Sequence, residues 1–189
     1  WALAGLSPAA SAANAQDLAI FNSTEQCRYC DLRYLDLSGR QFKRLTLPGA
    51  YLFGVNLSGA KLMEAQFQSA NLELVNLERA EIVSARFERA IAVSANFNGA
   101  TLVGASMAEM VGRDANFDSA DISEADLTTA DLRGASLVGV FAEGTRFVSA
   151  DLSRANFAGA RMARGSFSNA VLDQATLARA WLSYADFRS

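Results

Sequence analysis

Few residues in this chain are of a type that does chemistry. The only cysteines are Cys27 and Cys30, in Cys27-Arg-Tyr-Cys30, and there is no histidine. Three chemistries compete for such a pair. A redox dithiol wants a helix N-terminus behind it and a cleft, but Asp31-Leu32 begins an extended, repeating segment. A zinc centre needs four ligands, and one chain with no histidine and no third cysteine cannot supply them. A structural disulfide suits an exported protein, with a pair of buried free thiols as the alternative.

The rest of the composition narrows the function further. There is no nucleophile–base pair, no phosphate-binding loop and no metal-ligand set, so no enzyme, cofactor or metal is expected. The 17 basic and 20 acidic residues leave a net charge of −3, which argues against nucleic acid as a partner.

What must position the cysteines is a repeat of five residues. From Leu32 to Phe187 every fifth residue is large and apolar, over thirty-two positions without an insertion, except Ala92, Gly112 and Ala142. Two residues before each large one stands a small residue, nearly always Ala, and Asp or Asn often lies between. Repeats of this kind decide the fold before any other signal. A period of five spirals round an α-helix and alternates faces on a flat strand, so neither element buries it on one side. The chain must instead turn once per unit, with Ala and the large residue both pointing into one narrow core. A solenoid follows. Both cysteines keep the inward phase.

Ala-Asn-Phe-Asn-Gly (95–99), Ala-Asp-Leu-Ser-Arg (150–154) and Ala-Asn-Phe-Ala-Gly (155–159) carry the unit most clearly. In these the chain resembles the pentapeptide-repeat proteins over about residues 30 to 189. The resemblance implies an all-β fold, a right-handed quadrilateral β-helix of about eight coils, here with a short N-terminal helical cap. Exported members, including lumenal ones of cyanobacteria, often begin with a similar Cys-x-x-Cys-Asp-Leu. At about 4.8 Å per coil the rod is roughly 40 Å long.

Three segments are expected in order. Residues 1–15 resemble the end of a secretory signal, with an apolar Trp1-to-Leu6 run, Pro8, and Ala13-Asn14-Ala15 placing cleavage before Gln16; a disordered tail is the alternative. Residues 16–30 form the cap with the cysteine pair, Leu18, Ile20 and Phe21 making the apolar side of a short helix over the upper edge. Residues 31–189 form the β-helix. Sorting by twenty gives an internal ladder of Leu47, Phe67, Phe87, Met107, Leu127, Phe147, Phe167 and Phe187, and an Asn ladder at Asn56, Asn76, Asn96 and Asn116.

At Ala92, Gly112 and Ala142 the preceding residues are Ile91, Val111 and Phe141. Either the strand flips locally and these fill the core, or the phase holds and they point outward, with Met110 compensating for Gly112. In the second case Tyr51, Phe53, Leu74, Ile91, Val93 and Val111 form an apolar interaction patch. Met63, Val83 and Val103 form a smaller stripe. Trp181 and Tyr184 mark an end contact, from which a homodimer through the C-terminal coil is expected. Asp114, Asp118, Asp121, Glu124, Asp126 and Asp131 form an acidic run between Arg113 and Arg133.

The function expected is a non-catalytic scaffold that binds a protein partner in the periplasm or another exported compartment, thylakoid-lumen-like included, with no transmembrane segment in the mature chain. The alternative comes from the family resemblance: a cytoplasmic DNA mimic that binds DNA gyrase and protects it from quinolones.

Overall fold

The computed structural model describes residues 14–188. Most of the expected signal segment therefore lies outside the described residues. From Gln26 to Asp186 the backbone makes parallel β-bridges between residues twenty apart, in four interleaved columns. Four pentapeptides thus complete one coil, and each side of the coil lies on the same side of the next. The columns define four faces. Face 1 carries Gln26 to Asp186, face 2 Asp31 to Val171, face 3 Asp36 to Thr176, and face 4 Gln41 to Trp181.

The corners explain the unit. Along most of the rod the carbonyl of each large core residue accepts a hydrogen bond from the N–H three residues on, as from Ala50 to Leu47 at 3.2 Å. The third residue of that turn has a positive φ, the type II pattern. Pro48-Gly49 suits it: proline presets the second position, and Gly49 (φ +67°) lies against the Tyr29 ring of the coil above, where a Cβ would not fit. The residue two places before each core residue sits at the corner, mostly a buried Ala, with Leu35, Leu45, Val55, Val75, Met110 and Val140 among the larger exceptions.

The core is a stack of layers. Faces 1 and 3 oppose each other and supply the aromatic rings. Phe67 and Phe87 stack at 5.1 Å on face 1, and Phe97 and Phe117 at 4.6 Å on face 3. Across the rod Phe87 meets Phe97 edge-on at 6.1 Å, and Phe147 meets Phe157 at 5.8 Å. Edge-on and offset-stacked contacts are the favourable ring geometries. Three of the four expected asparagines of face 3 form a ladder: Asn76 Nδ2 donates to Asn56 Oδ1 at 3.3 Å and Asn96 Nδ2 to Asn76 Oδ1 at 3.1 Å, while Asn116 Oδ1 accepts the Asp118 N–H. Each Oδ1 also accepts an N–H two residues on.

The three breaks in the core pattern resolve one way. Ala92, Gly112 and Ala142 are buried, while Ile91 (44%) and Phe141 (41%) are exposed and Val111 is half-buried. No strand flips. At two of the three a corner residue fills the space instead: buried Met110 lies 3.2 Å from where a Gly112 Cβ would be, and Val140 is buried two residues before Ala142. A ladder of backbone bonds on both edges of each coil costs more to shift than an apolar side chain costs to expose.

At the N-terminal edge α1 (Ala15–Thr24) lies against the first coil. Asn14 caps it, accepting the Gln16 N–H at 2.9 Å, and Asp17 in its first turn accepts the Asp31 N–H at 3.0 Å. Phe21 is fully buried, 6.2 Å from Phe42, and Leu18 packs against the core. Ile20, expected on the apolar side, is exposed (42%) because it falls a helical step away from Phe21. Cleavage before Gln16 would remove the Asn14 cap.

Candidate interaction surfaces

Cys27 and Cys30 are both buried at the upper mouth of the rod, their Cα atoms 5.7 Å apart, within the span a disulfide takes. Helix α1 brings a carboxylate to them. Asp17, Cys27 and Cys30 offer ligand atoms within 4.8 Å of one another, a gathering the sequence spacing does not reveal. Among the described residues no fourth donor joins them, and Asp17 Oδ2 already accepts the Asp31 N–H, so the set does not fit a zinc centre.

The expected patch lies on face 2 and its adjoining corner. Tyr51, Ile91 and Val111 stand on one bridge column, interrupted by Asn71. Tyr51 (52%) and Leu74 (50%) are exposed, and Phe53, Val93 and Val111 are half-buried. The patch reaches further up than the sequence indicates. Tyr34 packs edge-on against Phe53 at 5.5 Å and its ring lies over Gly54, while Tyr29 is exposed over Gly49. The signal was available: a large turn residue twenty places before a glycine. Of the smaller stripe, Met63 is exposed and Val83 and Val103 are half-buried.

Below the patch face 2 turns ionic. Arg113 reaches Asp131 at 2.6 Å, Arg133 reaches it at 2.7 Å, and Arg133 also approaches Asp151 at 3.5 Å. The Arg133 guanidinium holds the Asp131 carboxyl down at about 2, with Arg113 adding to the effect against partial burial.

The acidic run does not form a stripe. Consecutive positions follow the chain round the coil, so Asp121 lies on face 4, Asp126 on face 1 and Asp131 on face 2. Asp118 is engaged by Ser136 Oγ and the Val138 N–H, and Arg146 lies 3.6 Å from Asp126. Trp181 is the last residue of the face 4 column. The Arg161 guanidinium lies over its ring at 5.6 Å and over the Phe141 ring at 5.0 Å. Tyr184, at a corner, is 91% exposed. Residues twenty apart are remote in sequence, so this cation–π stack shows only after sorting by coil.

No helix among the described residues is long and apolar enough to cross a membrane. The family model for pentapeptide repeats matches the chain in eight copies, over stretches running from 41–79 to 150–188. No curated protein matches it significantly. Among solved structures, full-length QnrB1, a plasmid-mediated fluoroquinolone resistance protein, is 19% identical over 84% of this chain and 87% of its own, with a TM-score of 0.50. HetL, involved in heterocyst differentiation regulation in Nostoc sp. strain PCC 7120, is 19% identical over 91% and 96%, with a TM-score of 0.36. A pentapeptide repeat protein of the Arabidopsis thaliana thylakoid lumen is 24% identical over 74% and 70%, with a TM-score of 0.23.

Proposed function

This chain belongs to the pentapeptide-repeat family, and we propose that it is a non-catalytic scaffold whose face 2 binds a protein partner in an exported compartment. About eight coils form the rod, and α1 caps its upper edge. One observation carries the reading: the bridge ladder holds Ile91 and Val111 outward over buried Ala92 and Gly112, beside exposed Tyr51 and Leu74. A cluster of exposed apolar side chains of this kind, even with Asn71 within it, marks a contact site. Changing Tyr51, Phe53 and Leu74 together to Glu is expected to leave the circular dichroism spectrum intact and abolish capture of the partner from host extract. Unchanged capture would sink the reading.

Export is supported by the signal-like start and by the buried cysteine pair, which we take as a Cys27–Cys30 disulfide fastening the first coil beneath α1. The non-reduced mass of the protein from its native host tests both. A chain beginning at Gln16 and lighter by two hydrogens is expected. A longer chain with two free thiols would place the protein in the cytosol and turn attention to gyrase. DNA mimicry, the second reading, wants a continuous acidic stripe along the rod. Here the acids ring a single coil, and Asp126 and Asp131 already meet arginines. That distribution favours the scaffold.

A further inference from the structure

Face 4 has a property that face 2 lacks. Its lower column runs Thr101, Asp121, Phe141, Arg161, Trp181, one residue per coil. Phe141 is exposed (41%) over the buried Ala142, and the Arg161 guanidinium lies over both the Phe141 and Trp181 rings. In the face 4 column and the corner at Glu124, Gly144 and Arg164 the charges are antisymmetric about Phe141, and Glu143 beside Phe141 is neutralised by Arg164. One coil above it stands Asp121, with Glu124 at the adjoining corner; one coil below stands Arg161, with Arg164 at the same corner. Among the described residues Asp121, Glu124 and Arg161 take part in no ion pair, while Arg164 reaches Glu143 on the coil above. On the opposite flank Gly139 and Gly159 have open space where a Cβ would stand, so nothing there keeps a flat partner away.

We propose that face 4 pairs with face 4 of a second copy, the two rods antiparallel and related by a two-fold axis crossing them at Phe141. Such an axis sets Phe141 against Phe141, Asp121 against Arg161 of the second copy, and Glu124 against its Arg164. Both charge pairs then occur twice, as an isologous contact requires. A parallel arrangement places Asp121 against Asp121 and Arg161 against Arg161, so the charges select the antiparallel one. This self-complementarity is what identifies the occupant as another copy rather than an unrelated protein. Face 2, where Tyr51, Ile91 and Val111 give way to Asp131 and Asp151, has no matching antisymmetry. The antisymmetric column from Thr101 to Trp181 covers five coils, roughly 19 Å at strand spacing. That puts the contact at the small end, under about 1,200 Å² in total, and makes the dimer weak and concentration-dependent.

The test is sedimentation velocity on the full chain, from about 5 to about 500 micromolar, a span that reaches weak association. A monomer–dimer equilibrium is expected in this range. Phe141→Asp should keep the chain monomeric throughout with its spectrum and melting curve unchanged. Asp121→Arg and Arg161→Asp should each weaken association by about tenfold or more, and the double variant should recover most of that loss by restoring both pairs in reverse. Tyr51→Glu should leave the equilibrium untouched, so failure here is separable from failure of the face 2 reading. A chain that stays monomeric at the highest concentration overturns the proposal. So does a dimer indifferent to Phe141→Asp, or a double variant no better than either single one.

Discussion

Replacing Phe97 with Ala is expected to cost about 3–5 kcal/mol, the usual toll for emptying a fully buried ring site. Phe97 is 0% exposed, stacks on Phe117 at 4.6 Å with planes only 2° apart, and meets Phe87 edge-on. The narrow core leaves little room to collapse into the gap, because backbone bonds fix the spacing of the coils above and below. The loss should also be local in its signature. Solenoid stability is close to a sum over neighbouring coils, so amide exchange should quicken first around residues 77–117, ahead of the more distant coils. Denaturant unfolding measures the total and hydrogen exchange the location. A loss below about 1 kcal/mol would show that the rings are replaceable filler.

The second large effect concerns Met110 and Gly112. In the regular unit a small corner residue precedes a large core residue; here the two are exchanged on face 2. Gly112→Leu alone should destabilise by about 1–3 kcal/mol, since Leu132 Cδ2 lies 2.8 Å and Met110 Cε 3.2 Å from the position of a new Cβ. Met110→Ala alone should cost about 2–5 kcal/mol by opening a cavity. Together they restore the Ala-x-Leu unit, and the double variant should lie within about 1 kcal/mol of the natural chain, a strong positive coupling. Additive losses in a double-mutant cycle would mean that Met110 does not fill the Gly112 site.

These two sites show what the sequence can and cannot disclose. The phase of the repeat, the corner methyls, the Phe and Asn ladders and the burial of Cys27 and Cys30 are all legible, because each follows from a fixed period acting on residue size. The behaviour at Ile91, Val111 and Phe141 is not. It depends on whether backbone pairing outweighs the exposure of an apolar side chain, and residue types alone do not weigh those terms. The Arg161 stack and the Tyr34–Gly54 contact lie twenty residues apart and emerge only once coil length is known. The exposure of Ile20 is not legible either, because helical phase over so short a segment admits more than one apolar side. The Asp17 carboxylate beside the cysteines depends on where α1 docks, which no periodicity encodes.

The spacing of twenty between bridge partners has a consequence for how such a chain can change length. Removing five residues keeps every unit intact yet rotates everything downstream by a quarter turn, so the Phe141 column would no longer share a side with Lys61 and Glu81. Removing one residue destroys the inward phase altogether. Only steps of whole coils leave all four surfaces continuous. Growth and shrinkage of this rod are therefore quantised in twenties, and distance along each face becomes a property that duplication can adjust without redesigning any contact.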